Sequence, residues 1–333
     1  PRCSSTSGMA CSNGLGHGRA APRISVAASS RWRLPPNTMS APEIRPRATG
    51  LNPSTPDSPM PTMDSHRGDA ARWETRGLAD DMRRILILGG TAEARQLAGR
   101  LSHRDDLEIT LSLAGRTAAP AEQPVPVRTG GFGGTDGLTA YLAGQRIDAL
   151  IDATHPYAAV MSAHAAEAAS HSNVRLLALR RRPWTAVAGD RWEEVDSIAD
   201  AVRALGPAPR RAFLAVGRRD IDAFAAAPQH SYLIRSVDPI DPPLKVPHAT
   251  YLTARGPFSE ADDRALMTMH QIDVVVAKNS GGDATYGKIA AARSLGIGVI
   301  MLRRPVLPAV TAVETVQDAV AWLDHEFATD RGV

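Results

Sequence analysis

The sequence predicts an α/β protein built on doubly wound parallel sheets. Short apolar runs alternate with amphipathic segments of roughly ten residues, and most of the runs end at a glycine or at a polar residue. An apolar run that ends in this way is typical of a buried parallel strand that delivers the chain to a turn. Strands that alternate with helices form parallel sheets with helices on both faces.

The first half of the pattern begins with the apolar run 85–88, which Gly89-Gly90 closes. Further apolar runs predict strands at 109–113, 125–127, 147–151 and 176–179. Helical spacing of apolar residues predicts helices at 91–101, 135–143 and 158–169. This order of strands and helices is that of a Rossmann-like domain.

The second half repeats this architecture without a close sequence repeat. Its apolar runs predict strands at 212–216, 232–234, 250–253, 274–277 and 299–302. Its helices are expected at 196–205, 219–226, 259–270, 285–295 and 315–326. We place the boundary near Gly206-Pro207, which gives two Rossmann-like domains at 82–206 and 207–330 with a cleft between them.

Composition narrows the class of protein. Of the 333 residues, 43% are hydrophobic and 22% are charged, which is ordinary for a globular protein. No apolar run reaches eighteen residues, so we expect no membrane span and a cytoplasmic location. Both cysteines, Cys3 and Cys11, lie near the amino terminus, so the rest of the chain has no disulfide and no cysteine-ligated metal.

Residues 1–81 differ from the rest. They hold ten of the 25 prolines and ten Arg against seven Asp and Glu, an excess equal to the net charge of +3 of the whole chain. We therefore expect a disordered tail that is dispensable for folding and activity, and no nucleic-acid binding by the neutral remainder. An upstream stretch translated ahead of Met82 is favoured over a targeting peptide, because Pro35-Pro36 interrupts an amphipathic helix.

A glycine turn follows the first strand, at Gly89, Gly90, Thr91 and Ala92. Glycines at a strand-to-helix turn let the backbone approach a phosphate, and the helix amino terminus offers N–H donors to it. The dinucleotide-binding pattern is incomplete, because Thr91 stands where a second glycine is usual. A tight turn without a ligand is therefore the alternative.

The end of the second strand indicates which dinucleotide would bind. Ser112, Gly115, Arg116 and Thr117 lie where NAD-specific folds place an acid that binds the ribose. An arginine there can pair with the 2′-phosphate of NADPH. The alternative is a solvated arginine in a turn.

Two further segments of the first half contain residues that could bind the cofactor or take part in catalysis. The glycine loop 130–134, with Gly131 and Gly133, would let a ligand approach the backbone closely, although a flexible linker is an alternative. After the fourth strand come Thr154, expected at the cofactor, and His155 and Tyr157, which could contact a nicotinamide or donate a proton. A capping or packing role for His155 is an equal alternative.

In the second half, polar and cationic residues follow four strands. Because carboxyl ends of parallel strands share one edge, these residues should converge on a ligand with many carboxylates. The candidates are Arg218, Arg235, Ser236, Arg255, Lys278, Ser280 and Gly281. Any one charge at a strand end is usually only solvated, and their shared position is what supports the prediction.

Together these motifs resemble the precorrin-6A reductase family. The matching segments, in order, are Gly89–Arg95, Gly115–Thr117, Gly130–Gly134, Asp152–Ala158 and Lys278–Gly282. The resemblance implies NADPH-dependent reduction of a macrocycle double bond of precorrin-6A in cobalamin biosynthesis, in a cleft between two Rossmann-like domains. It also implies a tetrapyrrole substrate. From their positions at strand ends, His155, Tyr157 and Lys278 are the candidate catalytic residues.

Alternatives remain open. The family includes a branch that acts on the cobalt-containing macrocycle, and the sequence does not separate the branches. A two-domain nucleotide-dependent transferase, which would bind its nucleotide in the C-terminal half, is less favoured. A non-catalytic NADP-binding sensor is also less favoured, because a sensor needs no site for a polyanion. Transient contact with neighbouring enzymes of the corrin pathway is a further expectation.

The cofactor prediction is tested by Arg116→Ala. We expect the wild type to prefer NADPH over NADH, and the variant to lose roughly 1.5–3 kcal/mol of NADPH binding free energy, the value of one charge-assisted contact. NADH binding should hardly change. Fluorescence titrations with both cofactors measure this, and an equal loss for both would show that Arg116 does not bind the 2′-phosphate.

Overall fold

A computed structural model describes residues 82–115 and 121–329. The predicted tail, Arg116 and Thr117 lie outside the described residues.

The described residues form twelve strands and seven α-helices. The strands are β1 (Arg83–Leu88), β2 (Leu107–Leu113), β3 (Val127–Thr129), β4 (Ala149–Asp152), β5 (Arg175–Leu179), β6 (Trp192–Val195), β7 (Arg211–Ala215), β8 (Ser231–Ser236), β9 (Ala249–Thr253), β10 (Val274–Lys278), β11 (Gly298–Leu302) and β12 (Ala312–Val313). The helices are α1 (Ala92–Leu101), α2 (Thr135–Gly144), α3 (Ala159–Ser172), α4 (Ile198–Ala204), α5 (Glu260–Met269), α6 (Gly287–Leu295) and α7 (Val316–Thr329).

The strands form two six-stranded sheets in which every pair is parallel. The first has the order β12-β5-β4-β1-β2-β3 and the second the order β6-β11-β10-β7-β8-β9. The order reverses between β1 and β4 in the first sheet and between β7 and β10 in the second, which is the doubly wound Rossmann arrangement. The predicted fold class is therefore confirmed.

The two sheets exchange their sixth strands. β6 lies before the predicted boundary at Gly206-Pro207, yet it pairs with β11 of the second sheet. β12 follows the last strand of the second sheet, yet it pairs with β5 of the first. Helix α7, which follows β12, also packs on the first sheet: its Leu323 and Phe327 belong to the hydrophobic core between that sheet and its helices. The sheets consequently do not divide at Gly206, and the sequence pattern did not reveal these two short strands.

Burial on both faces explains the apolar runs. Ile85, Leu86 and Ile87 of β1 are fully buried, because helices cover each side of the sheet. The segment predicted as a helix at 219–226 is instead a 3₁₀ helix, Arg218–Ala226. Among the described residues, no helix is both long enough and apolar enough to cross a membrane.

Helix α2 starts against the glycine loop 130–134, and this contact generates a stability prediction. A Cβ on Gly137 would overlap the carbonyl oxygen of Phe132, whereas a Cβ on Gly144 of the same helix meets nothing within 4 Å. We expect Gly137→Ala to destabilise the fold by about 1–3 kcal/mol, as overpacking does, and to weaken cofactor binding through the displaced loop. Gly144→Ala is the matched control: it should raise stability by at most about 1 kcal/mol, through helix propensity, and leave cofactor binding unchanged.

Urea unfolding and cofactor titration of the two variants measure these effects. Equal unfolding midpoints for Gly137→Ala and Gly144→Ala would contradict the close contact.

Candidate active site

The turn after β1 lies at the point where the order of the first sheet reverses, between β1 and β4. Gly90 has a φ of +112°, a conformation that favours glycine. The hydroxyl of Thr91 accepts a hydrogen bond from the Ala94 N–H (3.1 Å) and donates one to the Ala153 carbonyl (2.8 Å). Thr91 thus caps α1 and ties the turn to the end of β4.

This edge of the first sheet fits the phosphates of a dinucleotide. Apart from the glycine and its two chain neighbours, no described residue has an atom within 4 Å of the Cβ position of Gly90, Gly131 or Gly133, so the backbone is open to a ligand at all three. The amino terminus of α1 begins at Ala92, which is exposed. Gly115, with a φ of +68°, follows β2 beside the glycine loop.

Arg128 is a residue of this edge that the sequence patterns did not indicate. Its guanidinium lies 3.7 Å from the centre of the Phe132 ring and donates to the carbonyls of Gly130 (2.7 Å) and Gly131 (2.6 Å). It also lies 3.4 Å from the hydroxyl of the buried Ser112. Arg128 therefore holds the glycine loop beside the predicted ribose site.

The loop after β4 is shaped by the buried carboxylate of Asp152. It accepts hydrogen bonds from the Thr154 N–H (3.2 Å), the Thr154 hydroxyl (2.6 Å) and the Ser162 hydroxyl (2.6 Å). Three donors satisfy this buried charge without a cation. The Thr154 hydroxyl therefore orients the loop, and its hydrogen-bond donor is taken up by Asp152.

His155 is held as a neutral imidazole. Its Nδ1 accepts a hydrogen bond from the Tyr157 N–H (3.3 Å). Burial, together with the cations Arg181, Lys278 and others, lowers the pKa of His155 to about 3. The protonated ring needed to donate a proton as an acid is thus absent near neutral pH.

Tyr157 joins the first sheet to the second. Its hydroxyl accepts a hydrogen bond from the Asn279 N–H (2.7 Å) and donates one to the Leu302 carbonyl. Burial raises the pKa of the Tyr157 phenol to about 12. Both properties indicate that this hydroxyl positions the two sheets rather than supplying a proton.

A cavity of about 740 Å³ lies where the start of α3 meets the carboxyl ends of β7, β8 and β10. Its wall contains Lys278, Arg218, Ser236 and Ser280, so four of the predicted substrate-binding residues do converge. Arg218 and Arg219, at the start of the 3₁₀ helix, are exposed. The Lys278 ammonium lies 2.6 Å from Asp220 and 4.9 Å from the centre of the Tyr157 ring.

Arg235 also lines the cavity, but its charge is already balanced. Its guanidinium forms a buried ion pair with Asp263 of α5 and stacks 3.7 Å from the centre of the Phe258 ring. A buried cation with a dedicated carboxylate is a poor ligand for a second one. Arg235 therefore has a structural role in the cavity wall and is not expected to bind the substrate.

Two other predicted residues are not in the wall. Arg255 is exposed outside the cavity lining. Gly281 is buried with a φ of +68°, and a Cβ there would overlap the Arg182 carbonyl oxygen. Gly281 thus permits close packing of two loops and does not face the cavity.

Lys288 is a buried residue of the wall that sequence reasoning missed. It is 4% exposed, and its ammonium donates to the Thr285 carbonyl (2.6 Å). Burial, and then the charge of Arg235, lower the pKa of Lys288 to about 7. The one available signal in the sequence was that the chain has only three lysines.

The fold and the site together define a class. Two Rossmann-like sheets, with a glycine-lined phosphate turn on one and a cation-rich cavity at the edge of the other, are typical of dinucleotide-dependent oxidoreductases with an acidic substrate. No group of three or more His, Cys, Asp or Glu side chains in the described part of the chain could hold a metal ion.

Comparison with known proteins gives the family. The model of the family described as "Precorrin-6x reductase CbiJ/CobK" matches residues 84–324. The chain belongs to this family, as its motifs predicted, and the expected enzyme class, a reductase, is confirmed.

The relatives are similar over almost their whole length. A precorrin-6A reductase of Sinorhizobium sp is 55% identical over 245 residues, which cover 74% of this chain and 94% of that relative. That of Rhodobacter capsulatus is 49% identical over 252 residues, 76% of this chain and 100% of that relative. The solved structure of CobK precorrin-6A reductase matches with a TM-score of 0.70 at 48% identity, and covers 73% of this chain and 97% of that one.

The cavity generates a prediction for Lys278. Lys278→Ala removes a cation from the wall and leaves the Asp220 carboxylate unpaired, so binding of an acidic substrate should weaken by about 1.5–3 kcal/mol. Affinity for the dinucleotide should stay nearly constant. Steady-state kinetics and cofactor titration measure the two effects.

Lys245→Ala is the matched control, because Lys245 is exposed and outside the cavity lining. Substrate affinity that is the same in both variants would contradict a role for Lys278 in the site.

Proposed function

We propose that the protein reduces one double bond in the macrocycle of precorrin-6A to give precorrin-6B, with NADPH as the donor. The observation that carries this proposal is the cation-rich cavity at the carboxyl edge of the second sheet, joined by Tyr157 to the dinucleotide edge of the first. Family membership and the precorrin-6A reductases among the relatives support it.

NADPH, when bound, supplies a hydride. The turn at Gly89–Ala92 would hold its phosphates through backbone N–H groups. Ser112 and Arg128 lie beside the end of β2, where the adenosine ribose of a dinucleotide binds in this fold. Arg116, outside the described residues, stays the predicted ligand of the 2′-phosphate.

The substrate presents several carboxylates, and the cavity offers matching cations. Arg218 and Arg219 are exposed in its wall and can each bind a carboxylate with two hydrogen bonds. Lys278 adds a point charge between the two sheets. Tyr157, Met161 and Phe258 give the cavity apolar surfaces for the ring system.

Positioning is the main task of these residues. A reduction of this kind needs the donor carbon and the acceptor carbon held in contact and shielded from water, and binding energy from remote carboxylates can supply that. The Tyr157 bridge fixes the end of β4 against the ends of β10 and β11, which keeps the two halves of the site in register.

The experiment is turnover of the purified full chain with NADPH or NADH and with precorrin-6A or its cobalt-containing form. We expect NADPH oxidation to depend on added precorrin-6A, with one equivalent of precorrin-6B formed for each NADPH consumed. Faster turnover of the cobalt form would show that the cobalt-containing macrocycle is the preferred substrate. Cofactor binding without turnover of either macrocycle would favour the sensor and contradict the proposal.

The cytoplasmic location and the transient contacts with neighbouring enzymes of the pathway stay predictions from the sequence.

A further inference from the structure

Lys288 occupies an unusual place for a lysine. Its side chain is 4% exposed at the start of α6, and its ammonium lies 4.7 Å from the centre of the Trp184 ring. The ammonium donates to the carbonyl of Thr285, and both residues line the cavity. Lysine is seldom buried this completely without a carboxylate partner, and a buried charged group in the wall of a cavity is a candidate for function.

The charged neighbours leave Lys288 without a dedicated counter-ion among the described contacts. Asp263 is held by Arg235 through both of its carboxylate oxygens. Arg235 and Arg181 lower the pKa of Lys288 and Asp263 opposes them, while burial is the largest cause. With a pKa of about 7, the group can both give up and regain a proton near neutral pH.

Each of the three residues that the sequence predicted to be catalytic is in a state or contact that does not suit a proton donor. His155 is neutral because burial and nearby cations disfavour its charged form. The Tyr157 hydroxyl bonds to two backbone groups of the second sheet. The Lys278 ammonium is paired with Asp220.

We infer that the Lys288 ammonium is the acid that protonates the macrocycle, which makes Lys288 a catalytic residue of the reduction. This inference rests on the proposed function.

The step balances in atoms and electrons. One carbon of the reduced double bond receives a hydride, with both electrons, from the nicotinamide. Its neighbour forms a C–H bond with a proton as an N–H bond of Lys288 breaks. The neutral amine that remains is reprotonated from solvent, so the net reaction consumes one NADPH and one proton for each double bond.

The experiment compares Lys288→Met and Lys288→Arg with the wild type. Methionine keeps the length of the side chain and removes the charge. Arginine keeps the charge but does not release a proton near neutral pH. We expect kcat to fall by about 100-fold or more in both variants, the usual contribution of a general acid, with the NADPH dissociation constant changed less than about twofold.

The pH profile separates an acid from a structural residue. Because the protonated form is active and kcat/KM reports the free enzyme, the wild-type kcat/KM should fall as the pH rises through about 7. This decline should be absent from both variants and should persist in the control Lys245→Met, which changes an exposed lysine outside the wall. His164→Gln, which alters another titratable residue of the wall, should also keep the decline.

A wild-type kcat in Lys288→Arg, or a decline with pH that disappears in His164→Gln and persists in Lys288→Met, would overturn the inference. These results differ from failure of the proposed function, in which the wild-type protein itself would not oxidise NADPH in the presence of precorrin-6A or its cobalt form.

Discussion

The Tyr157 hydroxyl binds the backbone of Asn279 and Leu302, and the rest of the site depends on this contact because it fixes one sheet edge against the other. Arg304 reinforces it by donating to the carbonyls of Asn279 (2.9 Å) and Arg181 (2.8 Å). The contact combines backbone and side-chain hydrogen bonds, and the Tyr157 ring also packs against the core of the second sheet. Hydrogen bonds are directional, so the geometry of this contact is specific.

The exchange of the edge strands β6 and β12 reinforces the contact that Tyr157 makes between the two sheets. Because β6 and β12 each lie on the far sheet, the chain crosses between the sheets twice. Loops near these crossings contribute Arg181, which binds Glu93 of α1 and the Ser280 carbonyl, and Trp184, which binds Asn279. Residues from both sheets and from both crossings thus meet at one place, and movement of one sheet alone would break several hydrogen bonds.

Local pattern predicted most of the fold and part of the site. Apolar runs gave ten of the twelve strands, since burial on both faces leaves a strong signal. β6 was not predicted because two of its four residues are glutamates, and β12 was not predicted because it has only two residues. The converging residues Arg218, Lys278 and Ser280 followed from topology, because strand ends share an edge. The pairing of Arg235 with Asp263, 28 residues further along, is a tertiary contact without a local signal, and the buried Lys288 reads in the sequence as a surface residue of a helix.

Electrostatics links the structure to the chemistry. Burial, together with nearby cations, keeps His155 neutral and lowers the pKa of Lys288. The cations of the cavity wall also suit a polycarboxylate. We propose that one substrate contacts both sheets at this cavity, and hydrogen–deuterium exchange with and without precorrin-6A tests this most directly. Bound precorrin-6A should slow exchange in 157–164, at the start of α3, and in 216–220 and 278–280 of the second sheet. Protection confined to one sheet would contradict binding to both.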